Sequence, residues 1–151
     1  MKALAALLGW PAVAEGGKIM PEWMYQVPTA KSVDEAVAAV GAALKDHQFS
    51  VLWDLDINQK LSEKGIEPEP PFRILEVCSA PRAKKALHTT QQVGYFLPCK
   101  IVVYEDRESH QTMIGFPKPE VLMGLVGESA LEPLAHEVGQ LMRDAITQAA
   151  G

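Results

Sequence analysis

Cysteine occurs only twice in the 151 residues, at Cys78 and Cys99. Two cysteines do not make a disulfide scaffold, so a hydrophobic core has to hold the chain together. No Cys-x-x-Cys or His-x-x-x-His pair is present, and the four histidines are scattered. That argues against a zinc site of standard spacing, and no metal or other cofactor is expected. The Gly-x-Ser-x-Gly, His-Glu-x-x-His and Gly-Lys-Ser/Thr strings are also missing. With them go the nucleophile elbow, the zincin helix and the phosphate loop. Positive charge is in short supply: 14 Lys and Arg face 19 Asp and Glu, a net charge of -5. That balance speaks against nucleic acid as a partner, and the local cluster Arg82, Lys84, Lys85 is too small to track phosphates. No apolar run approaches the roughly 20 residues of a membrane span.

What remains is an ordinary globular composition, 48% hydrophobic and 22% charged, long enough for one domain with a real core. Residues 1–22 read as an N-terminal extension. Met1-Lys2, the Ala3 to Leu8 run and Ala12-Val13-Ala14 make a weak candidate for a secretory signal, with a short apolar core interrupted by Pro11. A cytoplasmic protein is therefore expected, with export as the alternative. Residues 23–151 read as a single domain.

Within that domain the elements follow from spacing and punctuation. Met24 to Pro28 is a strand. Ser32-Val33-Asp34-Glu35 is a capping box, opening a helix to His47 with Val33, Ala36, Val37, Val40, Ala43 and Leu44 on one stripe. Phe49 to Asp54 is a strand, and simple alternation puts Phe49, Val51, Trp53 and Leu55 on one face with Trp53 in the core. A short helix from Ile57 to Lys64 ends at Gly65, and three prolines between Glu67 and Pro71 form an extended connector. Phe72 to Ser79 is a strand, Pro81 to His88 a helix, Cys99 to Glu105 a strand and Gln111 to Phe116 its hairpin partner. Residues 120–127 form a short helix or loop. Ser129-Ala130-Leu131-Glu132 reads as a second capping box, opening a final helix whose stripe includes Leu131, Val138, Met142 and Ile146 and which runs to about Gln148. The fold class is α+β: one mostly antiparallel sheet with two long helices on one face, in the order strand, helix, four strands, helix.

The motifs Ser32-Val33-Asp34-Glu35-Ala36-Val37, Arg73-Ile74-Leu75-Glu76-Val77-Cys78, Lys84-Lys85-Ala86-Leu87 and Leu97-Pro98-Cys99-Lys100-Ile101-Val102-Val103-Tyr104 together resemble the bacterial and archaeal family called domain of unknown function 302. The resemblance spans Met24 to Ala149. It implies a compact domain of TATA-binding-protein-like architecture, often dimeric, with no activity to carry over. The chain departs from the family at Cys78-Ser79-Ala80-Pro81, where the usual sequence is Cys-Asn-Pro.

Cys78 ends one strand and Cys99 opens the next, so antiparallel pairing would bring the two together. A thiolate at a helix start is stabilised by free amides, and Arg82 stands close in sequence. Glu76 shares a face with Cys78, and Asp54 and Lys100 are expected on that face too. The candidate ligand-binding residues are thus Cys78, Cys99, Glu76, Arg82 and His88, for a small anionic, thiol-reactive or soft-metal ligand. Packing competes as an explanation, because free cysteine is among the most buried residue types. His88 and His47 equally fit helix C-termini, and His136 fits a packed or interface position. The leading expectation is a small soluble homodimer, with a cysteine-containing pocket and a dimer surface either on the sheet face carrying Leu52, Val102 and Tyr104 or at an edge strand. The alternatives are a thiol or redox enzyme using Cys78 with Cys99, and an interaction module in which the cysteines only pack.

Overall fold

Ser32 sets the first long helix. Its hydroxyl oxygen accepts the Glu35 amide at 3.2 Å and donates to the Glu35 carboxylate at 3.0 Å. Amides of the first turn have no partner inside a helix, and this contact satisfies one of them. The computed structural model describes residues 21–151; the signal reading of the first residues falls outside them. The helix opened at Ser32, α1, spans Val33–Asp46, and its stripe Val33, Ala36, Val40, Ala43 and Leu44 is buried. Its partner is the last helix, α5 (Glu132–Ala150), which buries Val138, Met142, Ala145 and Ile146.

Both helices cover one sheet. The strands are β1 (Met24–Thr29), β2 (Ser50–Asp56), β3 (Phe72–Cys78), β4 (Cys99–Glu105) and β5 (Thr112–Pro117). They lie in the order β1-β5-β4-β3-β2, and every neighbouring pair is antiparallel. The sheet is thus wholly antiparallel, as the hairpin-rich second half of the chain requires. Leu75, Val77, Ile101, Val103 and Ile114 point at the helices and have no exposed surface. Each such side chain contributes roughly 1.5–3 kcal/mol by leaving water.

Three shorter helices complete the domain: α2 (Ile57–Glu63), α3 (Ala80–Thr89) and α4 (Pro119–Gly124). Gly65 closes the turn after α2 at a φ of 65°, a conformation that costs other residues more. Between α3 and β4 lies a 3-10 helix, Gln91–Phe96, which the sequence reading did not separate; Thr90 caps it by accepting the Gln92 amide at 3.3 Å. Ala86, Val93, Met123, Leu131 and Ala135 make a second small core beneath these pieces. They hold α3, the 3-10 helix and α4 around one end of the sheet.

Two local expectations are corrected. Ser129 does not cap the last helix: residues Ser129–Leu131 form a 3-10 turn of their own, capped by Glu128, whose carboxylate accepts the Ala130 amide. The larger correction concerns β2. Val51 pairs with Val77, but Trp53 pairs with Glu76, so Leu52 is an extra residue in the ladder. A bulge of one residue reverses the faces of everything beyond it. Trp53 therefore leaves the core face expected from alternation and stands 55% exposed on the other side, with Leu52 at 58%.

Candidate functional site

The bulge completes a row across the outer face of the sheet. Trp53 lies opposite Glu76, and Glu76 lies opposite Lys100. Glu76 Oε1 accepts from Lys100 Nζ at 2.8 Å, with the carboxylate the more enclosed of the two. Beyond this row the chain leaving α3 folds over the sheet end. Gln91–Phe96 and the Leu97-Pro98 step, a cis peptide, form one wall of a cleft of about 560 Å³. Leu52 and Trp53 form another, and Pro119, Leu122 and Met123 of α4 a third. Tyr95 stands at the rim, 89% exposed. Apart from Glu76 and Lys100, every side chain lining the cleft is apolar or aromatic.

Cys99 also lines this cleft. Burial pushes its thiol up from 9.0 to about 11, with smaller contributions from Cys78 and Glu76. Taking a thiolate out of water is costly, so Cys99 is a neutral thiol near pH 7. The expected facing pair of cysteines is not formed. Cys99 pairs with Val77, while Cys78 pairs with Ser50 on the other side of β3. Successive strand positions face opposite ways, so the two are one position out of step. Both are free. They adjoin a second cavity of about 20 Å³ shared with Phe49, Arg82 and Leu97, room for about one water molecule.

The remaining expected site residues lie outside the cleft. Arg82 Nε and Nη2 donate to Glu137 of α5 at 3.2 and 3.0 Å. Its Nη1 reaches Gln48 and Ser79, each at 3.1 Å, and the guanidinium lies 6.0 Å from the Phe49 ring centre. Arg82 thus ties α3 to α5 and to the start of β2, with its donors engaged. His88 is exposed in the last turn of α3, away from the cleft. His136 is exposed as well, so it does not pack beside the stripe of α5. Asp54 turns to the helix side, where Arg73 bridges it and Asp34; the bulge separates it from Glu76. Asp56 caps α2 through the amides of Asn58 and Gln59. Of the five residues singled out in the sequence, the cleft collects Glu76 and Cys99.

Trp53, expected in the core, belongs to the cleft, as do Tyr95, Phe96 and Leu122, which are not among the expected site residues. Trp53 was hidden by the bulge. The run Tyr95-Phe96-Leu97-Pro98 carried a usable signal: four large apolar residues with neither helical nor strand period, just before a strand. Among the described residues, no group of three or more His, Cys, Asp or Glu is placed to hold a metal ion, and no helix is long and apolar enough to cross a membrane.

One antiparallel sheet backed by two helices, with a cleft at its end, defines a small α+β domain. Residues 25–149 match the family described as domain of unknown function DUF302. A solved crystal structure, that of an uncharacterized conserved DUF302 protein from Bacillus stearothermophilus, is 34% identical, with a TM-score of 0.80 over 85% of this chain and 99% of its own. The chain belongs to the DUF302 family. No curated protein matches it.

Proposed function

We propose that the domain binds a small, mainly apolar ligand in the cleft between the outer sheet face and the 91–98 segment, and that it works as a homodimer. The cleft carries the first part. Its volume of about 560 Å³ lies within the range of small-molecule sites, and apolar walls around a few placed polar groups are what such sites have in common. Cys99 contributes to the apolar lining. The outer sheet face carries the second part: Phe72, Ile74, Val102 and Tyr104 alternate along β3 and β4 with the core residues and keep part of their surface open. Apolar surface of this kind favours a partner.

Thiol chemistry that draws on Cys99 finds less support. Its thiol, held at about 11, supplies almost no thiolate near neutrality, and Cys99 and Cys78 do not face each other across the strands.

A thermal-shift screen of small apolar compounds tests the binding reading, because a ligand that prefers the folded state raises the melting temperature. The expected result is a hit class whose shift is lost in Tyr95→Ala. Compounds that stabilise wild type and Tyr95→Ala alike count against the cleft. Light scattering tests the dimer: wild type is expected at twice the chain mass and Val102→Lys at the monomer mass. A monomeric wild type removes the dimer and leaves the cleft standing.

A further inference from the structure

We infer that the ligand of the cleft is an organic cation, a substituted ammonium ion carrying apolar groups. The inference rests on the cleft being a binding site and assigns its chemical class.

Three observations point the same way. The first is the order of the row Trp53, Glu76, Lys100. Lys100 occupies Oε1 of Glu76 from the β4 side. On the β2 side the ladder partner of Glu76 is Trp53, which is more than half exposed and lines the same cleft. A cation there lies near a carboxylate and near the ring type that attracts cations best. An anion in the same place meets the Glu76 carboxylate, with Lys100 already paired to it.

The second observation is the lining. Trp53, Tyr95 and Phe96 all border the cleft, and Tyr95 stands almost fully in water. The rings offer quadrupole faces, while the rest of the wall offers hydrocarbon. An ammonium ion with apolar substituents is weakly hydrated and matches both. A bare inorganic cation would need more oxygen donors than one carboxylate.

The third is the charge of the chain, -5, which favours cations at long range. Lys100 and Glu76 offset each other as an ion pair, so the aromatic lining and the charge of the chain carry most of the preference for a cation. Binding needs no displacement of Lys100, because a carboxylate has two oxygens and the ion pair uses one.

Choline, the neutral isostere 3,3-dimethylbutanol and the anion 3,3-dimethylbutanoate have nearly the same shape and differ in charge. Each is titrated into the full chain by calorimetry, with the Trp53 indole N–H followed by NMR. Choline is expected to bind about tenfold more tightly than the alcohol, the scale of a cation–aromatic contact aided by a carboxylate. Glu76→Gln is expected to bring the two together. Tyr95→Ala, at a position too exposed to affect folding, is expected to weaken choline severalfold. If the alcohol or the anion equals choline and shifts the same Trp53 signal, the cationic class is overturned and the cleft reading survives. If none of the three perturbs Trp53 or binds detectably, the cleft reading fails and the cationic class with it.

Discussion

Trp53 sits opposite Glu76 in the β2–β3 ladder, on the sheet face away from both long helices. Leu52, looped out as the extra residue, makes that pairing possible. Had β2 alternated regularly, Trp53 would have been driven into the helix layer and the cleft would have lost a wall.

The position of Trp53 fixes the cost of removing it. Trp53→Ala is expected to destabilise by about 1 kcal/mol, as a partly exposed residue should. Leu75→Ala, one ladder position away but with no exposed surface, is expected to cost about 3 kcal/mol through the lost burial and the cavity left behind. Urea denaturation of both variants checks the contrast. Equal costs would return Trp53 to the core.

Cys99 makes stability fall at alkaline pH. In the unfolded chain its thiol ionises near 9.0, and in the folded chain near 11. Between those values the folded state holds a proton that the unfolded state has released, so stability drops as pH rises. The contribution is fully present below about 9 and falls by about 3 kcal/mol on passing 11, two units at 1.36 kcal/mol each. Cys99→Ala is expected to flatten this part of the stability profile. Alkylation of Cys99 in the native protein should remain slow at pH 8 and accelerate about tenfold for each unit above it.

Arg73 gathers two carboxylates on the helix side of the sheet. Its guanidinium donates to Asp54 through Nε at 2.9 Å and again through Nη2, and to Asp34 at 2.6 Å. The hydrogen bond to Asp54 is the main reason its pKa is raised. The arginine side chain is largely enclosed and its partners are more open, so the group is worth less than a buried pair. Arg73→Met is expected to cost about 2 kcal/mol, between the values for surface and buried pairs. A double-mutant cycle with Asp54→Asn, read at low and high salt, should show a coupling that shrinks only partly with salt.

Gly115 is required where β5 passes β1. A Cβ there would lie 2.9 Å from both Gln26 Cβ and the Tyr25 carbonyl oxygen. The obstacle is backbone and the root of a side chain, so it cannot swing away. Gly115→Ala is expected to lose about 2 kcal/mol, the usual scale of overpacking. Hydrogen exchange should place the loosening in the β1–β5 ladder. At Gly139, by contrast, a Cβ would meet the movable end of Glu120, and the strand pairing should keep its protection in Gly139→Ala.

Helices and strands were largely legible in the sequence because their signals are local. The Ser32 cap, the α1 stripe, the Gly65 turn and the β4 boundaries at Cys99 and Glu105 each depend on a few neighbouring residues. A single, mostly antiparallel sheet followed from the run of strands and the family resemblance together, but the spatial order that places β1 beside β5 did not. What the sequence hid was set by long-range pairing. A bulge in β2 depends on which residue of β3 lies opposite, and no spacing within residues 50–56 reveals that. The cysteine pair failed for the same reason: neighbouring strands were inferred, but the register that put Val77 opposite Cys99 was not. Arg82 looked available because its partner, Glu137, lies 55 positions further on.

The placement of β1 governs when the domain can assemble during synthesis. Four successive antiparallel steps separate β1 from β2, so these strands stand parallel at opposite edges, joined over the sheet by α1. The partner of β1 is β5, and Thr29 must wait for Thr112. The helix that completes the layer beside α1 comes later still, at Glu132–Ala150. A nascent chain that has emerged only as far as β4 therefore has an unpaired strand at one edge and a half-covered core. Such long-range closure slows folding and makes it cooperative. The first half of the domain is committed to its shape only when residues 112–150 have left the ribosome.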